Sequence, residues 1–251
     1  MAENPTPQVI NINVPDSWED LTEKQADFLF ARLSEFRSAD DIKTLCLLRW
    51  GGLKLIGRSR PGVWLLRKDK ILFEATADDI VALCAPLAFI GSTPKIPRLR
   101  RRIGRRRAIS PTLNGIPFEK FMVCDNLYQG FLQTRDPQLL DSIGAVAYPG
   151  RSHFSEAQRT MLLYWFVSLK EFLSRLYPDF LKPASSGTDS GNLLGSPQQS
   201  VIEAMNAQIR ALTKGDITKE AAVLAMDTHR ALAELNAQAR EYEEIRKQTE
   251  K

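Results

Sequence analysis

Residues 155–178, SEAQRTMLLYWFVSLKEFLSRLYP, contain the strongest folding signal in the chain. Ser155 and, three residues later, Gln158 form the pattern of a capping box, which predicts the first turn of a helix. The segment Met161–Phe166 that follows would be apolar on nearly all sides of that helix, which is typical of a helix buried in a core. Pro178 predicts where the helix ends. We therefore expect a helical protein that packs around this element.

Side chains that can cap a helix N terminus recur along the rest of the chain. They precede segments in which apolar residues follow at helical spacing, and this combination predicts further amphipathic helices. Glycine and proline are expected to end several of these helices, since neither continues a helix well. The predicted caps are Thr22, Ser38, Thr76, Asp136, Asp216 and Asp227.

Three short apolar runs, at residues 53–56, 63–66 and 71–73, interrupt the helical pattern. Apolar runs of this length between polar residues are typical of β-strands, and we expect a small antiparallel β-hairpin here. The predicted fold class is therefore mainly α, α-helical with a small β-hairpin. We expect a helical body plus a small C-terminal helical unit.

Composition divides the chain into five segments. Residues 182–199 are rich in serine, glycine and proline, which is the composition of a flexible linker. The helices beyond this linker would bury too little apolar surface to be stable alone, so we expect them to dock on the body or on a partner. The predicted segments are an N-terminal helical subdomain with the hairpin (1–92), a basic connection containing prolines (93–117), a second helical subdomain (118–181), the linker (182–199) and the C-terminal helical unit (200–251).

The positive charge of the chain is concentrated in one stretch. The formal net charge is +4, from 34 Lys and Arg against 30 Asp and Glu. Eight of the basic residues and no acidic one lie between residues 95 and 107, and subtracting them leaves 26 basic against 30 acidic residues. Like charges repel, so we expect this stretch to be exposed or bound to a partner. Its basic residues are Lys95, Arg98, Arg100, Arg101, Arg102, Arg105, Arg106 and Arg107.

The residues that enzymes most often use are scarce here. The chain has two histidines, His153 and His229, and three cysteines without a Cys-x-x-Cys pair, which argues against a metal site and against thiol redox chemistry. The sequence also lacks glycine-rich phosphate loops and the Gly-x-Ser-x-Gly pattern of hydrolases. His153 lies near two serines, which leaves a hydrolase as an alternative, whereas we expect His229 to face solvent. We predict a non-enzymatic protein without a cofactor.

The sequence shows neither a signal peptide nor a membrane span. The first residues lack the basic and then apolar pattern of a signal peptide. The most apolar run, Met161–Leu169, is far shorter than the roughly 20 apolar residues that a span needs. We therefore expect a cytoplasmic protein with buried, reduced cysteines and no membrane partner.

Three stretches, residues 12–25, 121–148 and 205–241, together resemble a family of proteins encoded in the structural-gene clusters of bacteriophages and prophages. The likeness is strongest in the third stretch, through Met205–Leu212 and Gly215–Lys219 in particular. This stretch is similar to the C-terminal part of phage tail assembly chaperones. The resemblance implies a protein that binds the tape-measure protein and tail-tube subunits in the cytoplasm of a bacterial host and leaves before the virion is complete.

Two binding surfaces follow from these observations. Amphipathic helices would capture a helical tape-measure chain, and the alternative is a nucleic-acid-binding accessory protein or structural connector of a phage. In that alternative, the basic residues from Lys95 to Arg107 would neutralise phosphates. An oligomer is compatible with both hypotheses. The apolar residues expected in the helical contact, or in the core of the C-terminal unit, are Met205, Ile209, Leu212, Leu232, Leu235 and Tyr242.

Overall fold

The computed structural model describes residues 10–35, 38–181 and 206–249 of the chain. The fold is mainly α with a small antiparallel β part, as the sequence predicts. The chain forms two compact units, Met1–Thr93 and Pro94–Lys251. The second unit therefore unites the segments that composition separates into a basic connection, a helical subdomain and a C-terminal helical unit.

In the first unit, helices α1 (Glu23–Leu33) and α2 (Ala39–Trp50) begin at their predicted caps. The hydroxyl of Thr22 accepts a hydrogen bond from the backbone N–H of Gln25, whose side-chain oxygen accepts one from the N–H of Thr22. Thr22 therefore caps α1 as predicted, and Gln25 completes a capping box with it. The hydroxyl of Ser38 accepts in the same way at the start of α2.

Three antiparallel strands follow, β1 (Leu53–Arg60), β2 (Val63–Lys68) and β3 (Ile71–Thr76), in that order across the sheet. The predicted β part is confirmed, and it has one strand more than a hairpin because the third apolar run pairs with β2 along its whole length. Gly62 and Asp69 stand in the two turns at φ values of +77° and +52°. Glycine reaches this region freely and aspartate more readily than most residues, which allows both turns to be tight.

Helix α3 (Ala77–Leu83) starts at another capping box, formed by Thr76 and Asp79. The hydrogen bonds from the backbone and side chain of Thr76 lower the pKa of the Asp79 carboxyl. A 3-10 helix, Ala85–Gly91, follows directly. Pro86, near the start of this 3-10 helix, accounts for the end of α3, because proline removes a donor that the interior of an α-helix needs.

Three helices form the body of the second unit: α4 (Phe118–Thr134), α5 (Pro137–Ala147) and α6 (Glu156–Leu176). Helix α6 begins at the predicted capping box of Ser155 and Gln158. It lies in the core of the unit, as its apolar character predicts. Its buried residues are Met161, Leu162, Trp165, Phe166, Ser168, Leu169 and Leu173.

The C-terminal helices complete the second unit. Residues 206–213 are helical and form α7, and after a 3-10 helix (Ile217–Lys219) come α8 (Glu220–Leu224) and α9 (Thr228–Thr249). The predicted linker, 182–199, lies outside the described residues.

Backbone hydrogen bonds attach these C-terminal helices to the body. The N–H of Phe118 donates to the carbonyl of Met226 at 2.8 Å. The N–H and the hydroxyl of Thr228 both donate to the carbonyl of Ile116, at 2.9 and 2.7 Å. Leu232, on the next turn of α9, is fully buried. We expected the C-terminal helices to dock either on the body or on a partner, and in the structure they dock on the body.

Replacing Leu232 with alanine should destabilise the protein by about 2–5 kcal/mol, because the change leaves a cavity where a buried side chain was. The same replacement at Tyr242, which is 69% exposed on the same helix, should change the free energy of unfolding by less than about 0.5 kcal/mol. Urea unfolding followed by circular dichroism measures both values. Equal effects at the two positions would contradict the packing of α9 described above.

A candidate nucleic-acid interface on an arginine hairpin

The basic stretch, which the sequence predicts to be part of a connection between helical segments, contains a short β-hairpin. Strands β4 (Arg102–Ile103) and β5 (Arg106–Arg107) pair antiparallel, with Arg102 opposite Arg107 and Ile103 opposite Arg106. Gly104 opens the two-residue turn at a φ of +59°, a conformation that two-residue hairpin turns require and glycine adopts without strain. We call residues 101–107 the arginine hairpin.

Buried contacts fix the arginine hairpin to helix α5. The side chain of Ile103 is 3% exposed, so one apolar residue within the basic stretch is buried in the body. Tyr148, which is fully buried, donates its hydroxyl to the carbonyl of Arg100 at 2.7 Å. The N–H of Ile109 donates to the carbonyl of Ala147 at 2.9 Å. The hairpin is therefore an anchored element and not a loose arm.

The residues that flank the arginine hairpin lie along helix α6. The buried hydroxyl of Ser168 donates to the carbonyl of Pro94 at 2.6 Å. The indole N–H of Trp165 donates to the carbonyl of Pro111 at 2.8 Å. Because both donors belong to the core helix, residues 94–111 have a fixed course on the body.

The arginine hairpin presents a concentrated positive charge to solvent. Arg98 and Arg100 are half-buried, whereas the other six predicted basic residues are exposed. Among the described residues, no carboxylate forms an ion pair with Arg102, Arg105, Arg106 or Arg107. The predicted exposure is thus confirmed for six of the eight basic residues, and four of their guanidinium groups form no ion pair within the part of the chain that the structure describes. The exposed members of the predicted set are Lys95, Arg101, Arg102, Arg105, Arg106 and Arg107.

A further arginine, Arg151, lies next to the turn of the arginine hairpin, although it is not among the basic residues predicted from the sequence. The guanidinium carbon of Arg106 lies 2.8 Å from the position that a Cβ would occupy on Gly150. One terminal nitrogen of Arg151 lies 3.7 Å from the corresponding position on Gly104. The hairpin turn and the turn before α6 therefore face each other. No local pattern could have identified Arg151, because it stands alone in a separate part of the sequence.

Neutral groups hold the side chain of Arg151. Its guanidinium lies over the ring of Phe154, 5.2 Å from the ring centroid, and one terminal nitrogen donates to the amide oxygen of Gln158 at 3.4 Å. Its Nε is buried and finds no hydrogen-bond acceptor among the described residues. The positive charge of Arg151 is thus oriented without being neutralised.

The six apolar residues predicted to bind a partner do not form one exposed surface. Leu232 and Leu235 are 0% and 3% exposed, so they belong to the core of the second unit and are not part of an exposed surface. Tyr242, further along α9, is exposed. Of the remaining three residues, Ile209 and Leu212 are half-buried, and Met205 lies outside the described residues.

Neither histidine lies in a catalytic arrangement. His153 is exposed in the loop before α6, which contradicts the hydrolase alternative because that mechanism needs a cleft holding a base and a nucleophile. The expectation that His229 faces solvent is wrong. Its Nε2 lies 2.7 Å from the carbonyl of Thr112 and its Nδ1 lies 2.9 Å from the hydroxyl of Tyr177. Since a carbonyl only accepts, Nε2 carries the proton, and the ring links three segments of the second unit.

The described residues include no cluster of three or more His, Cys, Asp or Glu side chains that could hold a metal ion. In the same part of the chain, no helix combines the length and the apolar character that crossing a bilayer requires. No family model, curated protein or solved structure matches this chain. The resemblance to phage tail assembly chaperones therefore stays a prediction.

The three cysteines should react slowly with iodoacetamide at pH 8 until the protein unfolds. All three are buried, and burial raises the pKa of the Cys46 and Cys124 thiols to about 12. Because thiolate is the reactive form, a pKa three units above the ordinary value lowers its fraction about a thousandfold at this pH. Mass spectrometry with and without urea measures the alkylation. Rapid modification of Cys46 or Cys124 in the folded protein would contradict this expectation.

Proposed function

We propose that the protein is a non-enzymatic binding protein that attaches to nucleic acid through the arginine hairpin. The observation that carries the proposal is the set of exposed arginines, four of them without an acidic neighbour among the described residues, on an element anchored by Ile103 and Tyr148. Because the backbone of the hairpin is already fixed, a bound polyanion would have to order only the arginine side chains, which favours affinity.

The chemistry of arginine supports a phosphate backbone as the ligand. A guanidinium group presents a planar fork of donors that matches two phosphate oxygens, and it keeps its charge at every physiological pH. Nucleic acid offers a regular array of such phosphates, and neutralising each of them releases counterions. The pairing in the hairpin places Arg102 beside Arg107 on one face. Their two guanidinium groups can therefore bind neighbouring phosphates of the same strand.

The composition of the hairpin supports contacts to the backbone rather than to the bases. Residues 95–107 contain no aromatic side chain on which a base could stack. Phosphate contacts position a protein without reading the sequence. We therefore expect binding with little sequence preference and with a steep dependence on salt.

Replacing Arg102, Arg105, Arg106 and Arg107 together with glutamine should remove most of the affinity for duplex DNA. Each phosphate contact contributes about 0.9 to the slope of log affinity against log salt concentration, so the slope should become shallower by about 3–4. Fluorescence anisotropy of a labelled duplex, measured over a series of NaCl concentrations, gives both quantities.

A control variant with the same change in net charge separates local binding from general attraction. Its four glutamines replace exposed cations outside the hairpin, namely Arg49, Arg210, Arg230 and Lys247. We expect this control to keep most of the affinity and the slope. If the hairpin variant binds like the wild type, or if the two variants lose equal affinity, the arginine hairpin is not the binding site.

A second candidate function is the phage tail assembly adaptor that the resemblance implies. The distal part of α9 favours it, because Tyr242 and Ile245 are 69% and 62% exposed there. The ion pair of Arg240 with Asp179, at 2.9 Å, ties α9 to the body just before these two residues. An exposed apolar helix end of this kind suits helix-in-groove contacts with a helical partner such as a tape-measure chain.

Changing Tyr242 and Ile245 to glutamate should abolish the capture of a co-expressed tape-measure or tail-tube protein. The fold should survive because both side chains are exposed. A matched control places glutamates at Ala233 and Ala237, which are exposed on the same helix. Affinity purification of the co-expressed pair, with circular dichroism of each variant, makes the comparison. Equal capture by the wild type and the Tyr242 and Ile245 variant would reject the adaptor role of this surface.

A further inference from the structure

The pairing within the arginine hairpin divides its arginines between two faces. Residues directly opposite each other in an antiparallel pair lie on the same face, so Arg106 shares a face with Ile103, and Arg102 shares the other with Arg107. Ile103 is buried in the body. Arg106 is therefore on the face that meets the body, which explains why its guanidinium lies against Gly150.

The facing turn supplies the second guanidinium. The N–H of Arg151 donates to the carbonyl of Tyr148 at 3.1 Å, and Gly150 adopts a φ of +81° within this turn. A side chain on Gly150 would lie within 2.8 Å of the Arg106 guanidinium. Because Gly150 has no side chain, the guanidinium of Arg106 can lie against the turn that carries Arg151.

Arg106 and Arg151 form no ion pair with a carboxylate of the described residues. Two guanidinium groups held at facing turns repel each other unless an anion compensates them. A phosphate group has enough acceptor oxygens to take hydrogen bonds from both forks at once.

We infer that Arg106 and Arg151 jointly bind a single phosphate of the nucleic-acid backbone. The inference rests on the proposed function and adds to it a residue from outside the basic stretch. Phe154 and Gln158 are positioning residues, because they orient Arg151 through its ring contact and its hydrogen bond. The outward arginines, Arg102 among them, contact other phosphates of the same ligand.

A double-mutant cycle tests whether the two arginines share one phosphate. The variants are Arg106→Gln, Arg151→Gln and their combination, and the probe is a labelled duplex DNA followed by fluorescence anisotropy over a series of NaCl concentrations. Each single change should lower the affinity about tenfold, as expected when a charge-assisted hydrogen bond is lost. The double variant should bind about as weakly as the weaker single variant, because either change disables the shared contact. Its salt slope should fall by about one phosphate equivalent, or 0.9.

The control is Arg230→Gln, an exposed arginine of the same unit that is not part of the hairpin, which should leave affinity and slope near the wild-type values. Urea unfolding checks that each variant folds. Should Arg151→Gln shift the unfolding midpoint, Arg151→Lys takes its place in the cycle, since lysine keeps the charge and loses the fork. The lysine variant should show a smaller loss of affinity than the glutamine variant and the same non-additivity.

Two results would overturn the inference. If the single effects multiply in the double variant and the salt slope falls by about two equivalents, or 1.8, the arginines bind separate phosphates. If Arg151→Gln and Arg151→Lys both bind like the wild type, Arg151 takes no part. Either result leaves the proposed function intact as long as the fourfold hairpin variant loses binding. Failure of that fourfold variant to lose binding would reject both the function and the shared phosphate.

Discussion

The segment Met161–Phe166 of helix α6 is apolar on almost every side, and such a segment must be covered by other parts of the chain because exposing it to water is costly. Helix α5 packs against α6, and residues 94–111 run along it. The hydrogen bonds from Ser168 and Trp165 to backbone carbonyls of that segment satisfy polar groups that burial would otherwise leave unpaired. The course of the basic stretch is thus a consequence of how the core helix is covered.

This constraint explains how eight basic residues in a row of thirteen can adopt a defined structure. Repulsion between like charges opposes compact packing, but the stretch contains Ile103, whose burial attaches it to the body. The fully buried Tyr148 adds a hydrogen bond to the carbonyl of Arg100. Antiparallel pairing then directs Arg102 and Arg107 to the face opposite that of Ile103. An apolar anchor on one face and cations on the other give an element whose charge is available to a ligand.

Local signals predicted the elements well. The capping boxes at Thr22 and Ser155 and the cap at Asp136 depend on residues two or three positions apart, and all three are present in the structure. The candidate sites were harder to predict. Ile209, Leu232 and Tyr242 were assigned together, either to a partner-binding surface or to the core of the C-terminal unit. They range from fully buried to mostly exposed, because helical periodicity shows which face is apolar but not what covers it.

By itself the sequence determined the helical class, the helix starts, the β part and the exposure of the arginine run, because each of these follows from residues close together in the chain. Only the tertiary structure decided that the guanidinium of Arg106 lies against Gly150 and that a terminal nitrogen of Arg151 lies near Gly104. It also decided that His229 joins Tyr177 to Thr112. These contacts join segments far apart in sequence, and their geometry depends on how the core helix is packed, which no local pattern of residue types encodes.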